Sequence, residues 1–294
     1  MADGAQDREM KRGIVGILGF LGLWVLLTAL LAYPVVLGVK EMAPGVFSFS
    51  RIFGRVQMGV ALALVPFLLR FWAEDPRKWM GREEGMGRFL RMGGWGTFGL
   101  GLIVLVALGQ TFLGARSWAG WPGAGVWIGA AATGILVAVL EEFFFRGVLG
   151  LAWWRSMNCR LPVGLIMFGA LIFSVAHYLR PVVGPEEGWG ASWMAWGRLE
   201  LWAGSPNGWK LAVLFLMGLI LGRMVWDKGS LTGAIGLHAG LVAGLRWAEQ
   251  VWPTVPQSVS GWWGPSLDAG PLPFCLLLLV ALILWGRPIR ARLD

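Results

Sequence analysis

Eight long apolar stretches, separated by short polar segments, restrict what this sequence can fold into. An α-helix rises about 1.5 Å per residue, so roughly 20 apolar residues cross the ~30 Å hydrocarbon core of a membrane. We therefore predict an all-α polytopic membrane helix bundle with about eight transmembrane helices. The stretches lie at 13–38, 58–73, 94–114, 124–155, 161–179, 209–226, 229–247 and 271–286.

The composition excludes the main non-membrane classes of protein. The chain of 294 residues is 56% hydrophobic and only 14% charged, which is not the composition of a soluble protein. The apolar content excludes a disordered chain, and 45 glycines with 15 prolines exclude a coiled coil. Two cysteines, Cys159 and Cys275, provide neither a disulfide framework nor a zinc or redox motif.

The net charge of +8 indicates membrane orientation and not nucleic-acid binding, because the basic residues lie mostly between the apolar stretches. Lys and Arg concentrate on the cytoplasmic side of membrane proteins. With the N-terminus inside, the inner segments hold fifteen of these residues and the outer segments about seven, which favours both termini in the cytoplasm. Twenty arginines against five lysines, with abundant Gly, Ala and Trp, indicate a G+C-rich bacterial gene. We predict an integral protein of the bacterial inner membrane, with membrane lipid and no nucleic acid as a partner.

Ionisable residues inside the apolar stretches define a candidate site. Glu141 and Glu142 are the only carboxylates in the eight stretches, and His177 and His238, the only histidines of the chain, also lie within them. Placing a charged side chain in hydrocarbon costs from about 2.5 to more than about 10 kcal/mol. Such groups therefore normally face a protein interior or a water-filled cavity, and they serve function.

Helical spacing separates the roles of the two carboxylates. Glu142 and Arg146 are one helical turn apart, which predicts a charge-assisted ion pair between them. Glu141 points about 100° away from Glu142 and is expected to remain free to accept a proton from water. His177 and His238 are candidates to orient that water or to donate a hydrogen bond to an oxyanion.

Three short motifs resemble those of a known family. Residues 141–146, E-E-F-F-F-R, are similar to the E-E-x-x-x-R motif of the CAAX-protease and bacteriocin-processing family of glutamic-type intramembrane endopeptidases. Residues 173–177, F-S-V-A-H, resemble the F-x-x-x-H motif of that family, and His238 stands where the family has H-x-x-x-N. The resemblance covers residues 130–250.

This resemblance implies a peptide hydrolase without a cofactor, acting on a peptide or protein substrate that has a membrane-associated segment. In the family, the first Glu and the second-motif His activate water, while the third-motif His and Asn hold the oxyanion. The implied catalytic residues are Glu141 as base, His177 as water-orienting residue, Glu142 with Arg146 as a supporting pair, and His238 as oxyanion donor.

One departure from the family pattern keeps other functions open. Val242 stands in place of the family Asn and cannot donate a hydrogen bond, and losing one oxyanion donor lowers rates by about 10² to 10³. A zinc-dependent protease is one alternative, with Glu141, His177 and His238 as ligands. A transporter or scaffold with a polar cavity and no catalysis is the other.

The resemblance also predicts three regions of the chain. Residues 1–123 hold about three spans without a family match, residues 124–250 form the catalytic core, and residues 251–294 form an outer loop and a final transmembrane helix.

A glycine motif within the third stretch has no catalytic meaning. Gly94, Gly96 and Gly99 satisfy the G-x-G-x-x-G pattern of dinucleotide-binding sites, but no strand precedes them. Small residues in a span let helices approach closely, and we predict that role here.

Overall fold

The computed structural model describes residues 2–42, 48–72, 75–81, 85–152, 162–182, 189–204, 207–255 and 266–287. Each of the eight predicted apolar stretches contains a helix, which confirms the all-α polytopic membrane bundle. The helices are α1 (Ala2–Met42), α2 (Phe49–Trp72), α3 (Gly85–Phe112), α4 (Ala124–Glu142), α5 (Pro162–Ala176), α6 (Gly190–Gly197), α7 (Glu200–Ala203), α8 (Gly208–Lys228), α9 (Thr232–Val251) and α10 (Pro271–Trp285).

Length and apolar composition distinguish the candidate membrane spans from the other helices. Two helices, α5 and α10, are apolar but shorter than a full span, whereas α9 has 20 residues but is not apolar enough. The segments long and apolar enough to cross a membrane are Lys11–Met42, Phe49–Trp72, Gly85–Phe112, Ala124–Ala152 and Gly208–Lys228.

Internal contacts divide the chain into two compact units. The first unit comprises residues 1–74, 151–160 and 174–206, and the second comprises residues 75–150, 161–173 and 207–294. Within the first unit α2 packs on α1, and α6 also contacts α1. A buried cluster of Ala32, Phe53, Ala195 and Leu199 lies among these elements, with the Trp196 ring 5.7 Å from the Phe53 ring.

In the second unit, α9 packs against α3, α4 and α8. Its approach to α3 is so close that a Cβ at Gly240 would overlap the Gly96 carbonyl, and a Cβ at Gly99 would lie 2.5 Å from the Leu237 oxygen. On the α4 side, a Cβ at Gly134 would lie 2.5 Å from the backbone oxygen of Ala239. The predicted packing role is thereby confirmed for Gly96 and Gly99. It is wrong for Gly94, where a Cβ would meet nothing within 4 Å.

Helix α4 continues without interruption into a π-helix at Phe143–Ala152. This wider turn begins immediately after Glu142 and contains Arg146. π-Helical turns are rare and occur frequently at functional sites. The sequence predicts ordinary α-helical spacing across this segment, and the π-helix departs from that prediction.

A short 3-10 helix, Pro76–Met80, contacts two elements of the second unit. Asp75 caps it by accepting a hydrogen bond from the Arg77 amide, and Gly81 ends it with a φ of 74°. This segment positions Trp79, whose contacts are described with the site.

Candidate active site

A buried ion pair joins the end of α4 to the π-helix that follows it. Arg146 Nη1 donates to Glu142 Oε1 over 2.8 Å, and Glu142 is completely buried. The pair predicted from the one-turn spacing is therefore confirmed. Burying two charges requires a compensating arrangement of this kind, because an unpaired charge in a low-dielectric interior is strongly destabilising.

His238 brings α9 to the same carboxylate. Its Nδ1 atom lies 2.8 Å from Glu142 Oε1, so this oxygen contacts both the guanidinium of Arg146 and the imidazole. The ring is buried, with 2% of the side chain exposed. His238 is therefore held in one orientation by a charged partner.

Glu141 lies on the other side of the imidazole. Its Oε2 atom is 3.8 Å from His238 Nε2, too far for a direct hydrogen bond. Glu141 stays the predicted proton acceptor, and the His238 imidazole lies between the two carboxylates. Glu141 keeps 13% of its side chain exposed, whereas Glu142 has none.

Phe173 is a site residue for which the sequence predicted no role, although it belongs to the motif F-S-V-A-H at residues 173–177. It is completely buried. The guanidinium carbon of Arg146 lies 4.2 Å from its ring centroid, and the His238 ring stands edge-on to it at 6.0 Å. A desolvated cation–π contact contributes about 2 kcal/mol. The signal available in the sequence was an aromatic residue one helical turn before a motif histidine.

Trp79 is a second residue that sequence reasoning missed. Its buried ring lies 5.2 Å from the Phe143 ring, and a Cβ at Gly147 would lie 2.5 Å from it, so only glycine leaves room there. Its backbone oxygen accepts a hydrogen bond from the Leu231 amide, just before α9 begins. The 3-10 segment thus contacts both the π-helix that carries Arg146 and the start of the helix that carries His238.

His177 lies in the turn directly after α5, and its side chain is half-buried. It belongs to the first compact unit, whereas Glu141, Glu142 and His238 belong to the second. The cluster that the second unit assembles from the predicted residues consists of Glu141, Glu142, Arg146 and His238. Val242 lies one turn after His238 on α9 and is half-buried.

Metal binding was the main alternative use of these side chains. Among the residues that the structure describes, no group of three or more His, Cys, Asp or Glu side chains is arranged to hold a metal ion. The zinc ligand set of Glu141, His177 and His238 stays a hypothesis for elemental analysis.

The comparison with protein families concerns the region that holds this cluster. Residues 123–243 match the family model described as type II CAAX prenyl endopeptidase Rce1-like. The matched region contains all the predicted site residues, and it supports a CAAX-type protease in an integral membrane protein. No curated protein and no solved structure matches the chain significantly.

Proposed function

We propose that the protein is an intramembrane endopeptidase that hydrolyses a peptide bond in or near the membrane by activating water with glutamate and histidine. The observation that carries the proposal is the carboxylate–imidazole cluster on α4 and α9 within the Rce1-like region. A buried ion pair that only holds helices together needs Glu142 and Arg146. It does not need a second carboxylate on the far side of a buried histidine.

Glu141 is the proposed general base. It is the carboxylate of the pair that retains some exposure, with 13% of its side chain exposed. A positioned general base contributes about 10² to 10⁴ in rate. Glu142 and Arg146 are positioning residues in this scheme, His177 orients the water, and His238 donates to the oxyanion.

The proposed substrate is a peptide or protein with a membrane-associated segment. The Rce1-like match favours a CAAX-type endopeptidase, and the long apolar helices support a reaction in a lipid environment. The acyl carbon of the scissile bond must approach the Glu141 carboxylate, because a general base has to reach the attacking water at hydrogen-bond distance.

The test compares membrane-protein termini in cells that express the wild type, Glu141→Gln or Glu249→Gln. Glu249 is exposed near the end of α9 and serves as the matched control. New termini are expected with the wild type and the control, and we expect their formation to fall by about 10² to 10⁴ with Glu141→Gln at equal protein abundance. Equal cleavage by Glu141→Gln would remove the mechanism. The absence of any new terminus with the wild type would favour the transporter or scaffold.

Elemental analysis of the same purified proteins separates the zinc alternative from the carboxylate mechanism. We expect far less than one zinc per chain and cleavage that survives strong chelators. Stoichiometric zinc that is lost together with activity would establish the metalloprotease instead.

We also propose that both termini lie in the cytoplasm of a bacterial cell, because basic residues concentrate in the segments that this orientation places inside. Cysteine labelling between residues 74 and 93 should report the cytoplasm, and labelling between residues 184 and 206 should report the outside. The reverse pattern would invert the orientation.

A further inference from the structure

The two nitrogen atoms of His238 face two different carboxylates, and only one of them is within hydrogen-bond distance. Nδ1 lies 2.8 Å from Glu142 Oε1, and Nε2 lies 3.8 Å from Glu141 Oε2. The same Glu142 oxygen accepts from Arg146 over 2.8 Å. This asymmetry between the two ring nitrogens determines where the proton of a neutral imidazole resides.

Glu142 is ionised in this arrangement, because a buried guanidinium contacts it and an ion pair is the state in which both groups are compensated. An ionised carboxylate only accepts hydrogen bonds, so Nδ1 of His238 must carry the hydrogen. In the neutral form of the imidazole, the single N–H group then lies on Nδ1, and Nε2 presents a lone pair toward Glu141. The histidine is 2% exposed, so bulk water does not compete for either nitrogen.

We propose that Glu142 fixes the Nδ1–H tautomer of His238, and that His238 Nε2 then carries a proton from Glu141 to the leaving amine. The inference rests on the proposed protease function and assigns a further role within the same site. His238 remains an oxyanion donor, but it acquires the Nε2 hydrogen needed for that role only after Glu141 has accepted a proton from water.

The proposed reaction sequence balances without a further reactant. The Glu141 carboxylate removes a proton from water, and the resulting hydroxide forms a bond to the carbonyl carbon, whose π electrons move to oxygen. The protonated Glu141 passes its proton to His238 Nε2, and the imidazolium donates a hydrogen bond to the oxyanion. When the carbon–nitrogen bond breaks, the proton on Nε2 moves to the amine nitrogen. The products are an acid and an amine, and both side chains return to their starting states.

The tautomer can be observed directly, because the chain has only two histidines. In protein labelled with ¹⁵N-histidine, His177→Gln leaves His238 as the single imidazole in the spectrum. At neutral pH we expect Nδ1 protonated and Nε2 unprotonated, with the preference weakened when Glu142→Gln is added. Protonation of Nε2 in the otherwise unchanged protein, or a preference unaffected by Glu142→Gln, would overturn the proposal. This measurement needs no substrate, so it stands even if the protein is not a protease.

The proton-carrying role is tested by His238→Gln, since a glutamine amide donates a hydrogen bond but cannot accept and release a proton. The probes are a peptide that spans a cleavage site found by the terminus proteomics, and the 4-nitrophenyl ester of its acyl half. The ester has a leaving group that departs without protonation. We expect His238→Gln to lower cleavage of the amide by about 10² to 10⁴ and of the ester by less than about tenfold.

Other results have distinct meanings. Equal losses on amide and ester would show that His238 is an oxyanion donor alone, and this would overturn the proton-carrying role. Wild-type amide cleavage by Glu141→Gln would contradict the proposed function itself, whatever the result for His238. Thermal stability of His238→Gln provides the control for folding, and the tautomer measurement decides the proposal if that variant does not fold.

Discussion

Helices α1 and α9 show opposite relations between apolar character and burial. The most apolar 18-residue window of the span Lys11–Met42 in α1 has a mean hydropathy of 2.5, yet only 22% of that window is buried. Helix α9 is not apolar enough to qualify as a span, yet thirteen of its twenty residues are buried. Lipid tails are as apolar as leucine, so an apolar helix is not driven into the protein interior of a membrane protein. In this chain the more apolar helix, α1, is the less buried, and the more polar helix, α9, is the more buried.

The residues that make α9 less apolar include some that build the site. Its glycines allow the backbone of α3 to approach, Gly134 of α4 allows the approach on the other side, and His238 lies on α9 itself. Glu142, which contacts His238, has no exposed side-chain surface. In α1, by contrast, large apolar side chains such as Leu18 and Leu23 remain exposed.

The largest expected effect that tests this difference between α1 and α9 comes from adding one methyl group to each helix. A Cβ at Gly240 of α9 would overlap the Gly96 carbonyl, whereas a Cβ at Gly22 of α1 would meet nothing within 4 Å. Because the obstacle at Gly240 is backbone, we expect Gly240→Ala to lower the free energy of unfolding by about 3 kcal/mol or more. Gly22→Ala should leave it unchanged or raise it by up to about 1 kcal/mol.

The measurement is denaturant-induced unfolding in detergent, with both alanine variants at equal lipid content. Equal stability of the two variants would mean that α9 and α3 are not in backbone contact. The comparison between the helices would then lose its structural basis.

Truncating one leucine in each helix tests the same difference in burial between α9 and α1. Leu237 is 2% exposed in α9, and Leu23 is 49% exposed in α1. The unfolded reference in a membrane is also apolar, so mainly the cavity contribution remains, and we expect Leu237→Ala to destabilise by about 1–3 kcal/mol. Leu23→Ala should change stability by less than about 0.5 kcal/mol. A larger effect at Leu23 would indicate that this face of α1 is covered by protein.

Patterns in the sequence predicted the parts of the site that depend on local spacing. The Glu142–Arg146 pair follows from a separation of one turn, and the motif match correctly brought His238 to the glutamates. The apolar stretches likewise located the helices, because a span must be long and apolar whatever its neighbours are.

The parts that were missed depend on how helices face one another. The position of His238 between the two carboxylates requires a particular rotation of α9 against α4. A packing glycine that permits this rotation can be identified only from its contact with the neighbouring helix. No local sequence pattern predicts the π-helix after Glu142. The same is true of the close contact between the Trp79 ring and Gly147. Phe173 could be recognised as part of a motif, but the sequence did not predict that its ring would lie against the Arg146 guanidinium.

The smallest expected effect concerns an ion pair that is not enclosed like Glu142–Arg146. Lys210, near the start of α8, contacts Asp268 over 2.9 Å, and about a third of each side chain is exposed. Burial by itself raises the pKa of Asp268, but the hydrogen bond from Ser266 and the nearby Lys210 ammonium together bring it below its ordinary value. Exposed pairs contribute little, so we expect Asp268→Asn to destabilise by less than about 1 kcal/mol near neutral pH.

The sign of the pH dependence follows from the lowered pKa of Asp268 in the folded protein. The unfolded chain binds the proton more readily, so the stabilisation is fully present above the ordinary aspartate pKa of about 3.9. It is lost as the pH falls through the lower value of the folded state. The stability difference between wild type and Asp268→Asn should therefore shrink on acidification, with Lys210→Gln and the double variant isolating the pair. A difference that persists unchanged in acid would mean that the Asp268 charge is not its cause. A difference as large as that of Gly240→Ala would mean that this exposed pair matters as much as the enclosed packing around α9.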